Sequence, residues 1–336
     1  MGFLFRCSSS GAINIIKVVL LITTLAIALL GCGQGDMQTV VIDGDDMHVE
    51  DDTAEYIYGI AMDEDAGVIS QNVADVYVSP DVKSDRISQA LYNQPVSILS
   101  KESGWAKVKI VDGSTGWIKS KYIDSDISSI YGRNYTRRIV VTSREKTIYA
   151  YPAGGNTRMI APMGTELYAF GNIDDSYEVY LPGNKTGWLQ GSGIIHIGLN
   201  GMIPVTNAED FASTALRLKG VSYLLNGMSA SGIDAPGLVY ICARINGINL
   251  PLMINGQLAS GTEIKPEEAL AGDLVFLSDT GESEPEQISS SGICIGGGNY
   301  IFASRKAGYV TIGEINRKNA DGIVIAARRI FNKTSE

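Results

Sequence analysis

The pattern of apolar and polar positions changes character four times along the chain. Residues 18–30, Val-Val-Leu-Leu-Ile-Thr-Thr-Leu-Ala-Ile-Ala-Leu-Leu, form one apolar run. It is shorter than the roughly 20 residues a membrane-crossing helix needs, and it follows Arg6 and Lys17 with no acid between, as in a secretory signal. Residues 33–56 reverse the pattern, with Asp36, Asp43, Asp45, Asp46, Glu50, Asp51, Asp52 and Glu55 and little to bury. A self-repelling, solvated tether is expected there.

From residue 70 the period becomes two, as in half-buried strands. The runs are Asn72–Pro80, Gln94–Leu99, Gly104–Val108 and Asp112–Ile118, and Asp112-Gly113 is a hairpin signal. Residues 138–197 repeat the scheme: Thr186-Gly187-Trp188-Leu189 echoes Thr115-Gly116-Trp117-Ile118. Trp105 and Trp117 are expected in the core. After residue 205 the period turns helical. Asn207 is an N-cap candidate ahead of a face made by Phe211, Thr214, Ala215 and Leu218. A second helix follows Ser231-Gly232-Ile233-Asp234-Ala235-Pro236-Gly237, with Asp234 as cap and Pro236 in the first turn. Its apolar face is Leu238, Ile241, Cys242 and Ile245. Strands return at 274–276, 292–295, 299–303, 310–312 and 323–327. Gly296-Gly297-Gly298 joins two of them and reads as a hairpin turn, since no helix follows to make a phosphate loop.

Composition narrows the function. Charged residues are 19% of the 336, Gly is frequent at 38, and the formal net charge is -10. Such a chain is a turn-rich globular protein and is not steered to nucleic acid. The four cysteines, Cys7, Cys32, Cys242 and Cys294, lack metal-type spacing, and His48 and His196 are too few for a histidine metal site. No cofactor is implied. Whether Cys242 and Cys294 are bonded stays open.

Three segments carry resemblances. Leu29-Leu30-Gly31-Cys32 resembles a bacterial lipobox, which implies cleavage before Cys32, its lipidation, and an extracytoplasmic, membrane-anchored protein. Residues 70–126, and more weakly 138–197, resemble bacterial SH3-like barrels. Ser231–Val239 and Leu270-Ala271-Gly272-Asp273-Leu274-Val275-Phe276 resemble the NlpC/p60 cell-wall peptidases, papain-like enzymes with the patterns Ser-Gly-Phe-Asp-Cys-Ser-Gly-Leu-Val and Gly-Asp-Leu-Val-Phe. The resemblance implies an α+β fold: two small SH3-like β-barrels followed by a papain-like domain. The expected organisation is a signal peptide over 1–31, a lipid-anchored tether over 32–69, barrels over 70–126 and 138–197, and an NlpC/p60-like domain over 205–331.

The same resemblance implies that the chemistry is gone. A cysteine peptidase needs a thiolate, a base and a group to orient the base. The nucleophile position is Ala235, the base position Ser290 and the orienting position Phe302, so no catalytic residue is intact. Cys242 and Cys294 read as core, and His196 as a barrel-edge or linker residue. Tyr223, Asp234 and Gln257 remain as possible groove residues, although Asp234 also reads as a plain helix cap. Arg and Ser of the family's groove pattern become Leu252 and Ile254. The expected function is an envelope lipoprotein with a degenerate murein-peptidase fold, acting in peptidoglycan-associated binding, scaffolding or regulation. Its partners would be a stem peptide or an envelope protein. The alternative is an active stem-peptide endopeptidase of the γ-D-glutamyl–diamino acid type with a non-standard site.

Overall fold

The computed structural model describes residues 56–281 and 287–331. The signal-like run, Cys32, His48 and the acidic residues up to Glu55 lie outside them.

Two sheet modules come first. The first comprises β1 (Ala66–Ile69), β2 (Val73–Tyr77), β3 (Arg86–Leu91), β4 (Pro95–Glu102), β5 (Trp105–Ile110), β6 (Thr115–Lys119) and β7 (Ile123–Asp124). The second comprises β8 (Arg137–Val141), β9 (Glu145–Tyr151), β10 (Gly154–Pro162), β11 (Glu166–Ile173), β12 (Ser176–Leu181), β13 (Lys185–Gln190) and β14 (Ile194–Ile197). Strand order is β3-β2-β6-β5-β4-β1-β7 in one and β10-β9-β13-β12-β11-β8-β14 in the other, the same topology twice. The repeated Thr-Gly-Trp has a steric reason. A Cβ at Gly116 would sit 2.7 Å from the Tyr77 carbonyl oxygen, and one at Gly187 would sit 2.5 Å from Ile148 Cγ2. Only glycine lets these strands cross so closely.

Two expectations are corrected here. The sheet begins before residue 70: β1 pairs with β4 and β7, and Ile60, Met62, Ala66 and Val68 are buried against Ile130 and Tyr168. Asp63, Glu64 and Asp65, inside the segment expected as tether, occupy the turn into β1, where Ala66 N donates to Asp63 O. Trp105 and Trp117 are only half-buried. The inward places of their strands belong to Ala106, Val108, Ile110, Gly116 and Ile118, so alternation turns both indoles outward. There Trp105 meets the edge of Tyr77 at 5.7 Å and carries Lys119 over its ring.

The third domain has α1 (Ala208–Leu216), a short hairpin of β15 (Met228–Ser229) and β16 (Gly232–Ile233), α2 (Ala235–Ile245) and α3 (Ile254–Leu258). Its sheet follows with β17 (Thr262–Ile264), β18 (Leu274–Ser278), β19 (Ile288–Gly296), β20 (Asn299–Ser304), β21 (Tyr309–Glu314) and β22 (Ile323–Arg329), ordered β17-β22-β18-β19-β20-β21 and antiparallel throughout. The buried apolar residues fall into two clusters. Phe211, Leu238, Ile241 and Cys242 pack on Phe276, Ile293, Ile301 and Ala303 in the layer under the helices. Val275, Leu277, Cys294, Tyr300 and Phe302 form the other. Alternation along β18 and β20 assigns these clusters to opposite faces of the sheet. The open question of the cysteines is thereby answered: Cys242 and Cys294 are free and buried on different layers.

Helix α2 is central. Leu91 of the first module and Val140 and Met163 of the second join its core cluster, and Gly164 leaves room for Ile241 where a Cβ would lie 2.5 Å from Ile241 Cδ1. Burying each such aliphatic side chain contributes about 1.5–3 kcal/mol, so these residues fasten the modules to α2 while each module keeps a core cluster of its own.

Candidate functional site

The start of α2 is built by backbone capping. Asp234 Oδ1 accepts from Gly237 N at 2.8 Å, and Oδ2 accepts from Asn226 N at 2.8 Å. Gly237 must be glycine, because a Cβ there would meet Gly227 O at 2.1 Å. Burial pushes the Asp234 carboxyl above the ordinary aspartate value, opposed by these two N–H donors. Pro236 has no N–H and Gly237 N is already capped, so Ala235 supplies the one uncommitted N–H of the first turn. A helix start with one free donor is a poor anion cradle.

Ala235 presents a methyl group where the resemblance places a thiol, and it is 4% exposed. Ser290 on β19 is buried across from Leu277. Phe302 on β20 is buried against Tyr300, ring centroids 5.2 Å apart, in the cluster that does not contain Ala235. The three positions are therefore closed over by packing.

Gln257 departs from the expectation of a groove residue. It is 0% exposed. Its Nε2 donates to the carbonyls of Pro236, Pro251 and Leu252, and its Oε1 accepts from Ser291 Oγ at 3.1 Å. It ties α2, α3 and β19 together from inside. Tyr223 is half-buried beside Asp234, and burial together with that carboxylate raises its phenol. Ile254 packs against the core instead of lining a groove. Leu225 and Met253 are the exposed apolar side chains near the helix start.

The remaining reactive groups among the described residues are two buried thiols and one histidine on an edge strand. Burial raises both thiols, Cys294 to about 12. Among the described residues His196 is the only histidine. It lies on β14, the edge strand of the second module, against Tyr177 at 4.6 Å, and burial and Arg137 lower its pKa.

The motif Asp273 is structural as well: its carboxylate holds Arg329 at 2.7 Å and accepts from Leu270 N. One contact set escaped the sequence reading. Gln89 on β3 accepts from Met228 N and Ser229 Oγ while donating to Asp75, and Arg86 donates to Leu225 O while its own carbonyl accepts from Asn226. The first module thus fixes the loop that leads into α2. A polar Gln89 inside the run Ile87–Leu91 was its only signal, as the polar Ser291 in β19 was for the Gln257 bracket.

Comparison with known proteins agrees with this architecture. Residues 72–124 match the bacterial SH3 domain, and residues 220–329 match the NlpC/P60 family. A γ-D-glutamyl-L-lysine dipeptidyl-peptidase of Bacillus cereus is 25% identical over 238 residues, 68% of this chain and 70% of the relative. A γ-DL-glutamyl hydrolase of Bacillus subtilis is 33% identical over 133 residues, 39% of this chain and 31% of its own length. Among solved structures, an NlpC/P60 family protein of Bacillus cereus superposes with a TM-score of 0.67 at 22% identity, covering 79% of this chain and 99% of that one. The chain carries a bacterial SH3 domain followed by a domain of the NlpC/P60 family.

Proposed function

We propose that this protein is a non-catalytic member of the cell-wall peptidase group, anchored through lipid on Cys32 outside the cytoplasm, and acting as a scaffold or regulator in the peptidoglycan layer. The observation that carries this reading is the buried methyl of Ala235 at a capped helix start. In triads, loss of the nucleophile alone costs on the order of a million-fold in rate. The burial of Ser290 and Phe302 and the internal use of Gln257 favour scaffolding or regulation over stem-peptide binding at this place. The lipid anchor rests on the apolar run and Leu29-Leu30-Gly31-Cys32. The peptidoglycan setting rests on the dipeptidyl-peptidase relative.

The test is direct. Residues 33–336 are incubated with γ-D-glutamyl stem peptides, and released peptide is followed by mass spectrometry. No product is expected, and titration calorimetry with the same peptides should show no saturable heat. Cleavage at a rate that scales with protein concentration would overturn the proposal.

A further inference from the structure

An open volume lies away from the start of α2. A cavity of about 1050 Å³ opens where the two sheet modules meet the third domain, and Ala235, Ser290 and Phe302 are not among its walls. Tyr58 lines it from ahead of the first module, Tyr131 and Tyr135 from the segment joining the two modules, Arg138 from β8, and Tyr240 and Arg244 from α2. The linker residues 199–203 run along it, and Met202 there is 85% exposed.

Its floor is a charge cluster with a surplus. Arg244 Nη2 pairs with Glu166 Oε1 at 3.0 Å, and Arg138 Nε faces Glu166 Oε2 at 3.3 Å. Tyr58 donates to Glu166 Oε1 at 2.5 Å, and its ring lies 4.7 Å from the Arg244 guanidinium and 5.6 Å from that of Arg138. One carboxylate thus serves two arginines. Arg133 also lines the cavity, and no acid does. Arg138 is 7% exposed, and the Nε atoms of both Arg138 and Arg244 lack a hydrogen-bond acceptor in good geometry. A buried cation without full compensation is costly, and a bound anion removes that cost. The surplus is the more telling because the whole chain carries a formal net charge of -10. The tyrosine walls add flat apolar surface, and the volume is in the range of cavities that enclose a small molecule.

We propose that this junction is a binding site for an organic anion, its acidic group held by Arg138 and Arg244 and its planar or apolar body held between the tyrosines and the linker. The site is independent of the proposed loss of catalysis. Since its walls come from all three domains, an occupant would fasten them to one another.

The test uses residues 33–336, which contain the whole described fold, and 8-anilinonaphthalene-1-sulfonate as the anionic probe. Its neutral counterpart, N-phenyl-1-naphthylamine, reports the apolar contribution alone. The expected result is one bound sulfonate per chain, with near-UV circular dichroism unchanged and an affinity at least tenfold above that of the neutral dye. Arg138→Gln and Arg244→Gln should each weaken the sulfonate at least tenfold and leave the neutral dye unchanged. Should either variant fold poorly, Met202→Glu at the exposed rim keeps the test. It should weaken the sulfonate several-fold where Met202→Gln does not. Equal affinity for the two dyes, or sulfonate binding indifferent to all these substitutions, would overturn the site.

Discussion

Gln257 Nε2 donates to the carbonyl oxygen of Pro236 at 2.9 Å, so a side chain from α3 holds the first turn of α2. The same amide reaches Ser291 on β19. Gln257→Leu would keep the volume but strip an acceptor from Ser291 Oγ and a donor from three carbonyls. Leaving buried polar groups unpaired costs about 1–3 kcal/mol each where water cannot enter. We expect a loss of about 4 kcal/mol or more in urea unfolding, against about 1 kcal/mol for Ser291→Ala. A Gln257→Leu variant as stable as the parent would show that the bracket is dispensable.

Asp234 and its two N–H partners set the second expectation. Asp234→Ala removes the cap from Gly237 and the acceptor from Asn226 at once. Cap loss costs about 0.5–2 kcal/mol, and the second orphaned N–H adds about 1–3 kcal/mol. Asp234→Asn should recover the cap but not the second bond, because its amide nitrogen cannot accept from Asn226 N. Thermal melts should therefore rank parent above Asn above Ala. If Asn and Ala melted together, the cap would not be what Asp234 contributes.

How much of this was legible beforehand depended on distance along the chain. The repeated Thr-Gly-Trp segments, at Gly116 and Gly187, exposed the two modules because each glycine answers a local crossing of neighbouring strands. The helix start at Asp234 was legible for the same reason: cap, proline and glycine lie within four residues. The same repeat could have corrected the first boundary, since β8 opens the second module and required a counterpart ahead of residue 70. Residue type alone places Trp105 and Trp117 in the core, whereas the alternation of their strands gives the inward places to Ala106, Val108 and Ile118 and turns the indoles outward. The junction cavity was not legible. Tyr58 and Glu166 are 108 residues apart in sequence, and only assembly brings them to hydrogen-bonding distance. The one trace was Arg244 inside the otherwise apolar run Leu238–Ile245.

The buried thiols predict an alkaline limit. Both are raised by burial from an ordinary value of 9.0, Cys294 to about 12 and Cys242 further. Above pH 9 the unfolded chain loses these protons while the folded chain keeps them. Stability from each thiol is therefore intact below pH 9 and is lost as pH rises, at about 1.4 kcal/mol per pH unit per thiol. Between pH 9 and pH 11, Cys242→Ala and Cys294→Ala should each reduce the slope of unfolding free energy against pH by that amount, whatever they do to stability at pH 7. An unchanged slope in both variants would mean that the thiols ionise in the folded state.

Restoring the family's reactive groups is the last expectation. On the proposed reading, Ala235→Cys, Ser290→His and Phe302→His together place in this frame the atoms that the family resemblance assigns to a cysteine peptidase. The frame no longer suits them. Phe302 is buried against Tyr300 and beside Cys294, so an imidazole there loses apolar packing and sits among apolar side chains. Phe302→His alone should cost about 2–4 kcal/mol in unfolding free energy. Ala235→Cys would place a thiol at a helix start whose second residue is Pro236 and whose third is already capped, leaving little to stabilise a thiolate. The triple variant should release stem peptide at no more than about tenfold over the parent's background, against the roughly 10²–10⁴-fold that a positioned acid–base group contributes. Product formation near that larger factor would show that the groove is still competent and that only the side chains were lost.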